Sequence, residues 1–131
     1  MNVIDSCGWL EYFADGPNAA FFAPAIEATE ELLVPALTLF EVFKCVLQQR
    51  NEADALRAIA LMRQGRLAEL TDTLALGAAR LSVNLKLPLA DSIILHTARV
   101  YGATLWTQDD HFANIAGVNY TAKAGKNPRK C

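Results

Sequence analysis

Apolar residues are distributed along this chain in two alternating patterns. Short segments of three or four residues, each with two or more apolar residues, occur at residues 2–4, 32–34, 67–70, 103–106 and 118–121. The longer segments between them carry apolar residues at intervals of three or four positions, which is the helical period. Short apolar strands that alternate with helices need crossover connections, and these give a mostly parallel sheet with helices on both faces. The pattern therefore predicts a helix-rich α/β fold with three layers, α/β/α, around a central sheet.

Six helices are predicted from this periodicity and from the residues at their ends. They cover residues 6–16, 17–29, about 35–50, 52–64, 73–84 and 88–101, and a short helical piece is expected around Phe112. Proline at positions 35 and 88 suits the first turn of a helix, and Gly102 ends the last of the six. The third helix carries an apolar stripe with i, i+3, i+4, i+7 spacing. The stripe consists of Leu39, Phe40, Phe43, Val46 and Leu47.

The size and composition of the chain fit a single globular domain. It has 131 residues, of which 53% are hydrophobic and 20% are charged, and this excludes a disordered chain. We expect the domain to occupy residues 1–122 and a short basic tail to occupy residues 123–131. No apolar run approaches the ~20 residues that span a bilayer, and the N-terminus carries no secretion signal. The sequence therefore predicts a cytoplasmic protein without a membrane partner.

Basic residues are concentrated in the tail and in the middle of the chain, although the formal net charge is −2. The tail holds no acid and four basic residues, Lys123, Lys126, Arg129 and Lys130. It is interpreted either as a contact for phosphates or as a solvated terminus. The middle of the chain holds Arg50, Arg57, Arg63 and Arg66, which do not form one stripe. These arginines are either ordinary helix surface or a rim that guides phosphates.

Sulfur and nitrogen ligands for a metal are not indicated. Cys7, Cys45 and Cys131 form no CxxC pair, and the spacing of His96 and His111 is not that of zinc ligands. Each histidine is interpreted as a surface or packing residue. Any bound metal is therefore expected to have oxygen ligands.

Four acidic residues are candidates for a site: Asp5, Glu41, Asp91 and Asp109. Asp5 and Asp109 follow predicted strands, where parallel sheets bind ligands. Local roles are also open, because Asp5 with Ser6 could cap a helix, Asp91 could complement a helix dipole and Asp109 could satisfy a turn. Glu41 has largely apolar neighbours, among which a carboxylate is costly without a cation or hydrogen bonds. If the four acids converge, they favour Mg²⁺ or Mn²⁺, and metal-activated water suits phosphodiester hydrolysis.

Four motifs resemble, in the same order, the acidic motifs of PIN-domain ribonucleases. They are Val3-Ile4-Asp5-Ser6, Thr38-Leu39-Phe40-Glu41-Val42, Leu87-Pro88-Leu89-Ala90-Asp91-Ser92-Ile93-Ile94 and Leu105-Trp106-Thr107-Gln108-Asp109. The resemblance covers nearly the whole chain, and it is strongest to the toxin subunits of VapBC toxin–antitoxin pairs. It implies a PIN-like fold and a metal-dependent endoribonuclease that acts on tRNA or mRNA. It also implies a homodimer and a cognate antitoxin that masks the acidic pocket.

The same resemblance implies roles for particular residues. Asp5, Glu41, Asp91 and Asp109 match the family's catalytic and metal-binding acids, and Ser6 and Thr107 match its accessory hydroxyls. Asp110 could replace Asp109 if the register of that loop differs.

Three other functions remain open at this point. The first is a non-catalytic module whose acidic pocket docks a basic partner segment. The second is a phosphotransfer receiver, which would need paired acids near the first strand, where only Asp5 is found. The third is DNA cleavage by the same metal chemistry, since carboxylates that hold a metal cannot detect a 2′-hydroxyl.

Overall fold

The computed structural model describes residues 1–124, and residues 125–131 of the expected tail lie outside this part. The strands are β1 (Asn2–Ile4), β2 (Leu32–Pro35), β3 (Arg66–Ala68), β4 (Thr104–Thr107) and β5 (Val118–Tyr120). The helices are α1 (Ser6–Phe13), α2 (Ala19–Glu27), α3 (Ala36–Gln49), α4 (Glu52–Met62), α5 (Asp72–Leu85) and α6 (Leu89–Val100). Two short 3₁₀ helices lie at Thr29–Glu31 and Asp110–Phe112. Within residues 1–124, none of the helices has the length and apolarity needed to cross a membrane.

The five strands form one parallel sheet in the order β3-β2-β1-β4-β5. From the central β1 the chain moves out to β2 and β3, and it then crosses to β4 and β5 on the other side. The connections therefore diverge between β1 and β4, where Ile4 pairs with Trp106. In an open parallel sheet such a divergence leaves a crevice beyond the carboxyl ends of the two strands. The strand order thus determines where a site can form.

Side chains along the three central strands, β1, β2 and β4, alternate between two separate hydrophobic cores. Ile4 and Val34 pack on one face of the sheet with residues from α1 to α4. Val3 and Leu33 pack on the other face with residues from α5 and α6. This period of two is what a strand buried on both faces requires. The predicted three-layer α/β/α fold with a parallel sheet is confirmed.

The third strand differs from its prediction. It spans Arg66–Ala68 rather than residues 67–70. It lies at the edge of the sheet and pairs only with β2, and of its three residues only Ala68 is buried. Leu67 and Leu70 are about half exposed. The ends of this strand could not be predicted from its apolar residues, because an edge strand that buries only one side chain needs few of them.

The ends of α2 and α3 also differ from the prediction. The helix expected over residues 17–29 spans Ala19–Glu27 with Pro24 inside it, and a 3₁₀ turn follows. Pro35 is the last residue of β2 and the N-cap of α3, not part of the first turn. Pro88 is likewise the N-cap of α6. Both prolines therefore lie immediately before the first residue of their helices. Their backbone angles are extended, as is usual for an N-cap residue.

The apolar stripe of α3 coincides only in part with its buried face. The buried residues of this helix are Thr38, Val42, Cys45 and Val46. Phe40 and Leu47, which belong to the stripe, are 62% and 43% exposed. The helix borders a cleft as well as the core, and Phe40 lines that cleft. Apolar residues therefore lie on two sides of α3, and their spacing alone does not identify which side is buried.

Candidate active site

The four candidate acids lie together beyond the carboxyl ends of β1 and β4. Asp5 follows β1 and caps α1 by accepting a hydrogen bond from the backbone N of Ser6 at 2.8 Å. Glu41 lies in the second turn of α3 and Asp91 in the first turn of α6. Asp109 precedes the 3₁₀ helix that follows β4. All four acids line one cleft.

Thr107 connects two of the acids. This residue is fully buried, and its Oγ1 donates to Oδ2 of Asp5 at 2.8 Å. The same oxygen accepts a hydrogen bond from the backbone N of Asp109 at 2.9 Å. Because one hydroxyl both donates and accepts, the last residue of β4 fixes the positions of Asp5 and Asp109 relative to each other.

Ser6 connects α1 with α3. Its Oγ donates to Oε1 of Glu41 at 2.6 Å. Glu41 is only partly exposed, so this bond supplies some of the compensation that a carboxylate in an apolar helix needs. The two hydroxyls expected near the acids, Ser6 and Thr107, therefore both hydrogen-bond to them.

His111 also contacts the acids, which the sequence interpretation did not anticipate. Its Nδ1 lies 2.8 Å from Oδ2 of Asp91 and 3.4 Å from Oδ1 of Asp109. Its backbone N donates to Oδ1 of Asp109 at 3.0 Å. Asp91, Asp109 and His111 each offer one ligand atom, and these atoms lie within 4.8 Å of one another. The interval of two residues between Asp109 and His111 was the one local signal, since an aspartate side chain often accepts a hydrogen bond from the backbone N two residues further on.

Asp110 has a different environment from Asp109. It is exposed and does not line the cleft with the four acids. It lines a separate cavity of about 140 Å³ together with Gln108, Tyr120 and Lys123. Asp109, not Asp110, is therefore the residue of this loop that lies beside the other acids.

Burial raises the pKa of three of the acids. Asp5 is 5% exposed, and burial, assisted by the charges of Asp91 and Asp109, raises its pKa to about 6 despite the bond from Thr107. Burial also raises the pKa of Glu41 and of Asp91, and neighbouring carboxylates add to both shifts. Within residues 1–124, no lysine or arginine forms an ion pair with these acids. The donor set of clustered carboxylate oxygens fits a hard divalent cation, which would supply the missing positive charge.

The acids occupy one part of a cleft of about 1300 Å³. Its walls come mainly from α1, α3 and α4, and apolar residues such as Leu10, Phe13 and Leu61 line it. Basic residues line it as well; they are Lys44 of α3, Arg50 at the C-cap of α3, Arg57 of α4 and Lys123, which follows β5. Of the four arginines in the middle of the chain, Arg50 and Arg57 thus border the cleft. Arg63 and Arg66 do not, and Arg66 lies over the ring of Tyr101 at 5.4 Å.

A polar network behind Asp109 was missed by the sequence analysis. Gln108 is 3% exposed, and its Oε1 accepts a hydrogen bond from Nδ2 of Asn18 at 2.9 Å. The backbone N of Asn18 donates to Oε2 of Glu11 at 2.7 Å. The network ties the loop after β4 to α1 and to the segment before α2. No local pattern indicates it, because polar residues in loops are common and these three come together only in the folded chain.

Several solved structures resemble the chain over most of its length. A toxin-antitoxin complex from Klebsiella pneumoniae contains a chain 25% identical to this one, with 91% of this chain and 96% of that chain covered and a TM-score of 0.76. VapC20 of Mycobacterium tuberculosis, a Sarcin-Ricin loop cleaving toxin, is 14% identical over 88% of this chain and 95% of its own, with a TM-score of 0.74. A structure of VapBC2 from Rickettsia felis, bound to a promoter DNA fragment, contains a chain that is 12% identical to this one. The match covers 92% of this chain and 97% of that chain, with a TM-score of 0.71.

Comparison with curated proteins gave no significant sequence match. Comparison with protein-family models matched the PIN domain over residues 3–118. This span includes all five strands except Asn2 of β1 and the last two residues of β5, and it includes the four acids of the cleft. Because the match covers most of the sequence, the chain belongs to the PIN domain family.

Proposed function

We propose that this chain is a metal-dependent endoribonuclease that hydrolyses RNA phosphodiester bonds, and that it is the toxin component of a type II toxin–antitoxin system. The observation that carries the proposal is the convergence of Asp5, Glu41, Asp91 and Asp109 in one cleft without a lysine or arginine partner among the described residues. Such a cluster is electrostatically unfavourable by itself, and a divalent cation relieves the repulsion. The likeness to toxin–antitoxin structures supports the biological role.

Each acid has a proposed role that follows from its position. Asp5 and Asp91 would contact the metal, Mg²⁺ or Mn²⁺, directly, whereas Glu41 and Asp109 would complete its shell or that of a bound water. A bound cation of this kind activates water and stabilises the charge that develops on phosphate oxygens. The chain's own hydroxyls orient the carboxylates: Ser6 holds Glu41, and Thr107 holds Asp5.

The distribution of charge along the cleft supports an RNA strand as the substrate. The metal site would attract a phosphate at the acidic part, while Lys44, Arg50 and Arg57 would attract neighbouring phosphates. Arg50 and Arg57 both pair with Asp54, yet their side chains stay 64% and 75% exposed and so remain accessible. The acids would act on the phosphate, and this does not distinguish RNA from DNA, which differ at the 2′-hydroxyl. RNA is therefore proposed from the family and its toxin members.

An antitoxin and a second copy of the chain are the proposed protein partners. The cleft has apolar walls and an acidic end, which suits an amphipathic antitoxin segment that carries a basic side chain. On the other side of the sheet, α5 and α6 expose Leu76, Val83 and Leu89 at 72%, 78% and 77%, and such residues suit a homodimer interface. The expected cytoplasmic location accords with an RNA substrate and stays a prediction.

Cleavage of RNA by the purified, antitoxin-free chain tests the proposal. End-labelled total tRNA and mRNA are incubated with the chain in Mg²⁺, in Mn²⁺ or in EDTA. We expect discrete cuts with a metal and none in EDTA, and we expect Asp5→Asn to abolish them. Asp110→Asn is the matched control, because it removes an acid of the same loop outside the cleft, and it is expected to cleave normally.

The alternative function is a non-catalytic module whose acidic cleft docks a basic partner segment. It predicts that the folded chain cleaves no RNA under any metal condition and that divalent cations do not change its thermal stability. Those two results together would replace the nuclease proposal. Loss of activity in Asp110→Asn, with activity retained in Asp109→Asn, would instead exchange the roles of these two acids.

A further inference from the structure

His111 differs from the other groups in the cleft because it brings a nitrogen donor to a cluster of carboxylates. Its Nδ1 is 2.8 Å from Asp91 and 3.4 Å from Asp109, and one ligand atom from each of the three residues lies within 4.8 Å of the others. Ligand atoms that share an ion at about 2.1 Å are separated by roughly 3–4.2 Å. The imidazole thus needs only a small adjustment to share a cation with both carboxylates.

Hydrogen bonds hold the backbone of His111 beside the site. Asp109 accepts a hydrogen bond from the backbone N of His111, and the backbone N of Asp109 is itself bound by Thr107. Thr107 in turn donates to Asp5, so that a continuous series of hydrogen bonds runs from Asp5 to His111. A residue whose backbone is held in this way loses little further backbone entropy when its side chain binds a metal.

We infer that His111 is a metal ligand through Nδ1, and that it makes the site a mixed nitrogen and oxygen site that prefers Mn²⁺ to Mg²⁺. This inference rests on the proposed metal-dependent nuclease function and adds a ligand to its four acids. Oxygen ligands alone suit Mg²⁺, whereas an imidazole strengthens binding of transition-metal ions and contributes little for Mg²⁺. The neutral ring binds the metal when its proton is on Nε2, and the 55% exposure of the side chain leaves that proton accessible to water.

A simpler role for His111 makes the opposite prediction. If the imidazole only balances the charge of Asp91 and Asp109, it occupies the place of the metal and competes with it. Its removal would then leave Mn²⁺ and Mg²⁺ binding unchanged or strengthen both. If the imidazole is a ligand, its removal weakens Mn²⁺ binding selectively.

The experiment measures metal binding to the full chain. Titration calorimetry gives the Kd for Mn²⁺ and for Mg²⁺, and pulsed EPR of the Mn²⁺ complex detects ¹⁴N coupling from a coordinated imidazole. The variant is His111→Gln, and the matched control is His96→Gln, which alters the other histidine of the chain, located on α6. Circular dichroism verifies that both variants are folded.

We expect ¹⁴N coupling in the wild type and in His96→Gln, and none in His111→Gln. The Kd for Mn²⁺ should rise at least about tenfold in His111→Gln, whereas the Kd for Mg²⁺ should change much less. A loss of metal affinity of about tenfold is common when residues around a metal are replaced. Bound Mn²⁺ without ¹⁴N coupling in a wild type that cleaves RNA would overturn this inference alone. A wild type that binds no divalent cation and cleaves no RNA would overturn the proposed function together with it.

Discussion

At the scale of single residues, the environment of Asp5 lowers the stability of the folded chain when this carboxylate is ionised. The carboxylate is buried beside two other acids, and its pKa is raised from 3.8 to about 6. An acid whose pKa is raised by folding destabilises the folded state when it is ionised. At neutral pH this cost is about 3 kcal/mol, and it disappears as the pH falls through 6 toward 4. The cluster therefore stores unfavourable electrostatic energy that a bound cation would release.

Replacing this carboxylate should stabilise the metal-free protein. Asp5→Asn keeps an acceptor for the Ser6 N–H but removes the charge, so we expect its free energy of unfolding in EDTA at pH 7.5 to rise by about 1–2 kcal/mol. The gain should shrink toward zero at pH 4.5, where the wild-type group is protonated in the folded state. Chemical denaturation of both proteins at the two pH values measures this. A variant that is less stable by the same amount at both pH values would contradict the electrostatic explanation.

At the scale of elements, the close packing of α5 and α6 sets the position of the helix that carries Asp91. A Cβ placed on Gly77 of α5 would lie 2.1 Å from Nε2 of His96 on α6. The glycine therefore lets the two helices approach each other, at the expense of helix propensity. In an open helix position, alanine is favoured over glycine by about 1 kcal/mol.

A double-mutant cycle separates these two effects. Gly77→Ala alone should lower the free energy of unfolding, because the overlap with the imidazole exceeds the gain in propensity. In a His96→Ala background the same substitution should raise it by up to about 1 kcal/mol. Urea denaturation of the four proteins gives the coupling energy. Equal effects of Gly77→Ala in both backgrounds would mean that the histidine does not determine the spacing of the helices.

At the scale of the whole molecule, the cleft joins an acidic site to a basic border. The four acids come from the ends of β1 and β4 and from α3 and α6. The basic residues of the border come from α3, from its C-cap Arg50, from α4 and from Lys123 after β5. A nucleic-acid strand that reaches the acids would therefore need the basic border to overcome repulsion of its phosphates.

The basic border predicts a specific dependence of RNA binding on salt. In the Asp5→Asn background, Arg57→Ala should weaken binding of single-stranded RNA about threefold to tenfold at 0.1 M salt and lower the salt slope by roughly 0.7. Arg80→Ala, an exposed change on α5 and away from the cleft, should have no effect on either quantity. Fluorescence anisotropy at several salt concentrations measures both. Equal losses in the two variants would show that RNA responds to total charge and not to this border.

Local properties of the sequence were sufficient for the fold class and for the candidate acids. Apolar runs alternating with helical periodicity imply a parallel sheet covered on both faces, because a parallel strand needs a crossover and two buried faces. Asp5 was placed at the end of β1 for the same reason, since a strand that ends in an acid presents it at the edge of the sheet. The match of four acidic motifs in order then indicated the family, which the family model confirms.

Only the tertiary structure determined which of these residues meet. The order of the sheet places β4 beside β1, so that Thr107 and Asp5 form a hydrogen bond across 102 positions of sequence. The folded chain also brings His111 to Asp91. Phe40 lies exposed on the wall of the cleft, although the spacing of apolar residues in α3 suggested a core position for it. Local propensity and periodicity report the environment of one element, whereas contacts between distant elements depend on how the elements pack. That is why the acids were predicted from sequence and the histidine among them was not.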